Sequence, residues 1–144
     1  MKIVLLVFIL IYTNPFRSST EPVLGDKIDV TNLTEINIVI GPSEIRKCFS
    51  ISIDEINYSI GVNEIGLIDY VITSDSNFST SEILKIGDTY KKVQGLTEKE
   101  VVVLIGWGYY IELPSGWKAV FTQGDTMTEG ELKYNSKIKF FFKQ

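Results

Sequence analysis

The residues of this sequence best suited to binding chemistry are aromatic. Trp107, Tyr109, Tyr110 and Trp117 lie within eleven positions. Flat aromatic faces supply a large contact area to a sugar ring or an extended peptide. This segment is therefore the first candidate for a ligand or partner surface.

Strand alternation divides these aromatic residues between two faces. Odd-numbered and even-numbered residues of a strand point to opposite faces, and the odd-numbered positions of this segment are apolar. They include Trp107, Tyr109 and Trp117, which are therefore predicted to be core. Tyr110 falls on the opposite parity, near Gly106 and Gly108. Glycines within a strand mark a bulge or a close approach by another backbone or a ligand. We therefore predict a binding surface at Tyr110, Gly106 and Gly108, with bending of a long strand as the alternative explanation of the glycines.

Paired carboxylates are the second candidate chemistry, because two acids that flank a bond can hydrolyse it without histidine. This alternative is a small carboxylate-based hydrolase, and its candidates are Asp54, Glu55, Asp69, Asp75, Glu82 and Asp88. Asp69 lies within an apolar run, where the favoured interpretation is a solvent-facing position. The stretch around Asp75 lacks the central glycine and terminal glutamate of a calcium loop, so it is interpreted as a turn.

Composition excludes several other function classes. The 144 residues contain no histidine and one cysteine, Cys48, with a formal net charge of −4. Ser-His-Asp and Cys-His catalysis, histidine metal sites, internal disulfides and thiolate metal cages are thereby excluded. The acidic balance argues against nucleic acid as a partner. We assign no catalytic residue, no metal ligand and no cofactor, and we predict that Cys48 is buried.

The N-terminus has the pattern of a secretory signal peptide. Lys2 precedes the ten-residue apolar run 3–12, Pro15 breaks the chain, and small residues follow up to Thr20. Ten helical residues rise about 15 Å, half of a bilayer core, so no stable membrane span is predicted. A buried first strand is the alternative. Cleavage after residue 20 would remove two basic residues and bring the net charge to −6.

The remaining chain predicts strands. Alternating or apolar runs occupy 36–40, 49–53, 56–62, 65–73 and 138–142, and the last is expected at a sheet edge because lysines share its second face.

The run 101–113 is interpreted as one long strand. It would form a hairpin with 117–122 through Pro114-Ser115-Gly116, in the register Leu113/Trp117, Ile111/Ala119, Tyr109/Phe121 and Glu112/Lys118.

Helix signals are short. Ser79-x-x-Glu82 and Thr97-x-x-Glu100 match the capping box, and Asp88 could cap a helix over 90–94 that ends at Gly95.

The predicted fold class is α+β and β-rich: an antiparallel sheet with one to three short helices behind an N-terminal signal peptide. The predicted organisation is a signal peptide at 1–20, a loose lead-in at 21–35 and a single globular domain at 36–144.

These observations favour an exported, non-enzymatic binding domain of the periplasm, cell envelope or secreted space. Its partner would be a protein or a small-molecule or carbohydrate ligand. A small secreted inhibitor or immunity-type protein is an alternative that the acidic charge permits.

Overall fold

A computed structural model describes residues 21–122 and 131–144. The predicted signal peptide at 1–20 lies outside the described residues. The described chain forms eight strands and one helix. The strands are β1 (Thr34–Gly41), β2 (Glu44–Ile53), β3 (Ile56–Val62), β4 (Ile68–Thr73), β5 (Val102–Leu104), β6 (Gly108–Glu112), β7 (Lys118–Thr122) and β8 (Lys137–Lys143), and the helix is α1 (Tyr90–Gln94).

All eight strands belong to one antiparallel sheet in the order β1-β2-β3-β4-β8-β7-β6-β5, curled into a half-barrel. The prediction of a β-rich antiparallel sheet with very little helix is confirmed. The prediction that the C-terminal strand forms an edge is wrong, because β8 pairs with both β4 and β7. The edges are β1 and β5. Lysine spacing on one strand shows which face is solvated, but it does not reveal whether two neighbours pair with that strand.

A β-bulge in β8 explains how its side chains are distributed. Val120 pairs with Phe140 and Phe121 pairs with Ile138, so Lys139 is the extra residue. A bulge changes the side-chain parity of the strand. Ile138 therefore packs on one face of the sheet and Phe140 on the other, although the sequence placed them on the same face.

Each face of the sheet carries its own apolar cluster. The first core includes Phe78, Leu84 and Val93 from the segment between β4 and β5, together with strand residues such as Trp117 and Phe141. The second core consists of the buried residues Cys48, Tyr70, Trp107, Val120 and Phe142, with partly buried neighbours around them. The prediction that Cys48 is buried is confirmed, since its exposed fraction is 0%.

The segment before β1 contacts the sheet. Gly25 N–H donates to the carbonyl of Ile68 at 2.7 Å, and Ile68 N–H donates to the carbonyl of Asp26 at 2.9 Å. Ile28 and Val30 pack against the first core. Much of the stretch expected as a loose lead-in thus covers the start of β4.

The one helix of the described chain occupies the predicted position. Its N-cap residue is Thr89 and its C-cap is Gly95. Asp88, the predicted cap, instead accepts hydrogen bonds from Lys85 N–H and Lys92 Nζ, both at 2.8 Å. Neither capping-box match begins a helix.

Candidate functional site

The predicted hairpin between β6 and β7 is confirmed in its register. Tyr109 pairs with Phe121, Ile111 with Ala119, and Glu112 with Lys118. Leu113 N–H closes the loop by donating to the carbonyl of Trp117 at 2.8 Å, and Gly116 takes the required positive φ of 81°. The cross-strand matches of apolar and charged residues were sufficient to specify this pairing.

The run 101–113 is not one strand, and this changes the position of Trp107. A turn closed by Trp107 N–H to the carbonyl of Leu104 at 2.9 Å separates β5 from β6, with Gly106 at φ 81°. The turn changes which residues of the segment face each side of the sheet. Trp107 is core, as predicted, but it packs in the second core, whereas Trp117 packs in the first.

The predicted binding residues lie in this region of the second core. Tyr110 is half-buried, and its ring makes edge-to-face contacts with Phe142 at 5.4 Å and Trp107 at 6.4 Å between centroids. Gly108 is buried at the start of β6, and Gly106 is exposed in the turn. The positive φ of Gly106 explains its residue type without a ligand.

The face that carries the second core is the concave face of the half-barrel. Trp107 packs there from the β5–β6 end of the sheet, and its indole Nε1 donates to the carbonyl of Val39 in β1 at 3.1 Å. A residue near one edge can reach the opposite edge strand across this face because the sheet curls toward it. The second core therefore fills part of the concavity.

An open groove of about 630 Å³ occupies another part of the concave face. Much of its polar lining comes from β2 and β3, where Ser50 pairs with Ser59 and Ser52 pairs with Asn57. Residues paired directly across antiparallel strands have Cβ atoms about 4.5–5.5 Å apart. The four polar side chains thus form one compact patch.

Apolar side chains border this polar patch. Ile38 of β1, Ile72 of β4 and Phe140 of β8 line the groove, and all three are half-buried. Phe140 packs edge-to-face against Trp107 at 5.7 Å, so the groove adjoins the aromatic cluster that contains Tyr110. The groove therefore combines hydrogen-bonding groups and an aromatic ring, as small-molecule sites do.

A buried phenol lies on the same face as the groove. Tyr70 is two residues from Ile72 along β4, and its hydroxyl is buried without a hydrogen-bond partner among the described residues. Burial is the main cause that raises the pKa of this phenol. The guanidinium carbon of Arg46 lies 5.6 Å from the centre of its ring.

A second cleft, of about 840 Å³, lies between residues 94–99 and the β6–β7 hairpin loop. Thr97 Oγ donates to the carbonyl of Glu112 at 3.0 Å along this cleft. Loop residues supply much of its wall, whereas strands supply most of the concave groove. The concave groove is therefore the better preorganised site.

Four of the six candidate acids of a hydrolase have separate structural partners. Asp69 pairs with Arg46, and its side chain is 38% exposed. Asp75 accepts backbone hydrogen bonds from Asn77 and Asn57, both at 2.9 Å, which lower its pKa and confirm its place in a turn. Asp54 and Glu55 lie exposed in the β2–β3 turn.

The two remaining acids stabilise loops. Burial opposes the ionisation of Glu82, but hydrogen bonds from its own backbone, Thr80 and Ser115 outweigh it and lower the pKa. Burial likewise opposes ionisation of Asp88, and the bond from Lys92 lowers its pKa. A general acid for glycoside hydrolysis needs a raised pKa. The structure brings no such carboxyl to the groove from these candidates.

Neither a metal-binding cluster nor a membrane-spanning helix is found among the described residues. Among residues 21–122 and 131–144, no group of three or more Cys, Asp or Glu side chains is arranged to hold a metal ion. Within the same residues, no helix is long and apolar enough to cross a membrane.

The sequence predicts two half-buried strands whose polar side chains include the groove residues Ser50, Ser52, Asn57 and Ser59. Their alternation with apolar residues was the available signal. It could not show that this parity lies on a concave face, because the curl of the sheet depends on strands distant in sequence.

Comparisons with known proteins add one likeness of fold. No family model matches the sequence. No curated protein matches it. The crystal structure of the uncharacterized protein yfeY from Escherichia coli is similar, with a TM-score of 0.53 and 15% sequence identity over 78% of this chain and 80% of that chain. At this identity the likeness concerns the fold alone.

Proposed function

We propose that this protein is an exported, non-enzymatic binding domain of the cell envelope or secreted space, and that the concave groove is its ligand-binding surface. The observation that supports the binding role most directly is the groove itself, which is open, about 630 Å³ in volume and built on strands. Small-molecule sites commonly have volumes of about 300–1,000 Å³.

The sequence supports the exported location. The basic start, the ten-residue apolar run and the small residues up to Thr20 have the pattern of a cleavable signal peptide. The first residue after the predicted cleavage, Glu21, has a defined place in the domain. Its carboxylate accepts hydrogen bonds from Trp117 Nε1 at 3.2 Å and from Lys143 Nζ at 2.9 Å.

The surroundings of the predicted binding residue support the choice of face. Tyr110 lies on the concave face beside Trp107 and Phe142. In this proposal Tyr110 is a positioning residue that packs behind the groove, and Phe140 provides the aromatic contact to the ligand. Gly106 and Gly108 shape the turn that carries Trp107 into the concavity.

The binding role is tested by extraction of ligand from protein purified from the exported fraction. Mass spectrometry of the extract should detect a small molecule retained by the natural chain and lost from Ser52→Phe, which fills the groove. The matched control is Ser81→Phe, at an exposed serine in the segment between β4 and β5. Retention of the same molecules by both variants would place binding elsewhere and contradict the proposal.

The exported location has its own test. Cell fractionation and N-terminal sequencing should find the protein outside the cytoplasm with residues 1–20 removed. A cytoplasmic protein that retains Met1 would exclude export.

A further inference from the structure

We infer that the concave groove takes a neutral, polyhydroxylated ligand, such as a short segment of an uncharged glycan. This inference rests on the proposed function and specifies the ligand class of the same groove. It is carried by three properties of the lining: charge, hydrogen-bonding capacity and the aromatic wall.

The lining favours an uncharged ligand. Among the described residues that line the groove there is no lysine or arginine, and the one acid is Asp75. Both oxygens of that carboxylate are already hydrogen-bonded: Oδ2 accepts from Asn57 N–H at 2.9 Å and Nδ2 at 3.0 Å, and Oδ1 accepts from Asn77 N–H at 2.9 Å. An anionic ligand group would lose water in the groove without gaining an ionic partner, and a cationic group would meet only the Asp75 carboxylate, whose oxygens are already engaged by Asn57 and Asn77.

The lining offers hydroxyl groups that are free to bind. Within residues 21–122 and 131–144, the hydroxyls of Ser50, Ser52 and Ser59 form no hydrogen bond with the protein. A serine hydroxyl both donates and accepts, as the hydroxyls of a sugar do. A ligand that carries several hydroxyls could therefore satisfy all three serines, whereas an alkyl chain that covers them would leave them unpaired.

The aromatic wall of the groove is Phe140, which offers apolar contact to a ligand ring. Phe140 is half-buried, and its contact with Trp107 fixes it at the side of the groove. Ile38 and Ile72 extend the apolar contact. An aromatic ring beside polar side chains suits a sugar ring, which has an apolar C–H face and polar hydroxyl edges.

The experiment is a titration followed by the backbone amide resonances of the ¹⁵N-labelled protein. The neutral probes are maltotriose, cellotriose and tri-N-acetylchitotriose, and the comparison probes are trigalacturonate, which is anionic, and decanoate, which is an alkyl carboxylate. We expect at least one neutral trisaccharide to shift the resonances of Ser50, Ser52, Asn57 and Ser59 in a saturable way. Neither comparison probe should do so.

Variants define the contacts. Phe140→Ala should weaken binding of that trisaccharide by about tenfold, because it removes the ring contact. Ser50→Ala combined with Ser52→Ala should weaken it by a similar factor without disturbing the core, since both side chains are exposed. Tyr134→Ala and Ser81→Ala, at exposed positions away from the groove, are the matched controls and should bind unchanged.

The outcomes separate this inference from the proposed function. Saturable binding of decanoate or trigalacturonate in the groove, with none of the neutral trisaccharides, would overturn the neutral-ligand inference and leave the groove as a binding site. A trisaccharide that binds equally to the groove variants and to the natural chain would overturn the inference as well. If no probe shifts a groove amide and no molecule is extracted from the natural protein, the inference and the proposed function both fail.

Discussion

The indole Nε1 of Trp107 donates a hydrogen bond of 3.1 Å to the backbone carbonyl of Val39. Val39 lies in the edge strand β1, and Trp107 lies in the turn next to the other edge strand, β5. Sixty-eight positions separate the two residues in sequence. This bond joins the two ends of the curled sheet, and the Trp107 ring fills the concavity beside Phe140 and Phe142.

Trp107→Phe should detach β1 from the opposite end of the sheet. The variant keeps an aromatic ring but loses the donor and part of the buried volume. We expect the free energy of unfolding to fall by about 2 kcal/mol, as measured by urea denaturation. Hydrogen exchange should also become faster at β1 amides.

The matched control is Trp117→Phe, which alters the other indole, in the first core. This variant should lower stability because the Trp117 indole loses its contacts with Glu21 and Lys143, but it should not selectively expose β1. Unchanged protection of β1 in Trp107→Phe would show that the indole does not hold the edges together.

Tyr70→Phe should stabilise the ligand-free domain. The Tyr70 side chain is fully buried and its hydroxyl has no partner among the described residues, so the folded state bears the cost of removing that hydroxyl from water. We expect the variant to gain about 1 kcal/mol in the free energy of unfolding, with a higher Tm. Tyr134→Phe, at an exposed ring, should change neither quantity. Lower stability in Tyr70→Phe would reveal a hydrogen-bond partner for the phenol.

Glu82→Gln should weaken the attachment of the loop after β4 to the β6–β7 hairpin. The Glu82 carboxylate accepts hydrogen bonds from Ser115 N–H at 2.6 Å and Ser115 Oγ at 2.9 Å. Because the pKa of Glu82 is lowered in the folded state, its charge stabilises the fold above its ordinary pKa of 4.5, and this contribution is lost as the pH falls through the folded-state pKa.

The expected cost of Glu82→Gln is about 1 kcal/mol near neutral pH, because the group is only partly buried. Urea denaturation at neutral pH and well below pH 4.5 measures it, with Glu55→Gln in an exposed turn as the control. A cost that remains unchanged in acid would show that the charge of Glu82 contributes nothing.

Cys48 should be unreactive toward a thiol reagent in the folded protein. Its exposed fraction is 0%, and burial is the main cause that raises the pKa of its thiol and so lowers the thiolate fraction. Ellman's reagent should react with it only after unfolding in urea. A Cys48→Ala/Ser81→Cys double variant, with an exposed thiol, should react at once. Rapid stoichiometric labelling of the folded natural chain would contradict the burial of Cys48.

Gly61→Ala should destabilise the sheet, because Gly61 lies beneath two side chains on the concave face. A Cβ atom at this position would lie 2.5 Å from Arg46 Nε and 3.0 Å from Tyr70 Cβ. The flexible end of Arg46 can move, but the Tyr70 Cβ is fixed by its strand. We expect a loss of about 1–3 kcal/mol by urea denaturation.

The double variant Gly61→Ala/Arg46→Ala separates the two contacts. Measured against Arg46→Ala, which itself loses the pair with Asp69, the double variant should recover only part of the loss, because the Tyr70 contact remains. Full recovery would assign the whole effect to Arg46.

Local sequence determined the elements that depend on neighbours along the chain. The register of the β6–β7 hairpin followed from its loop residues and from matches such as Glu112 with Lys118, because a slip of one residue would break every match. Strand positions followed from alternation, and the helix before Gly95 from short-range turn chemistry. The burial of Cys48 was likewise predictable from its residue type.

Only the tertiary structure determined what depends on distant strands. The sequence could not place β8 between β4 and β7, since the bulge at Lys139 becomes visible only in that pairing. It could not place Trp107 opposite Val39, because the turn before β6 shifts the strand parity. The groove has the same origin: Ser50, Ser59, Ile72 and Phe140 come from four strands, and the curl of the sheet brings them to one surface. Side-chain type and alternation are local properties, whereas the concavity of a sheet arises from the packing of all its strands.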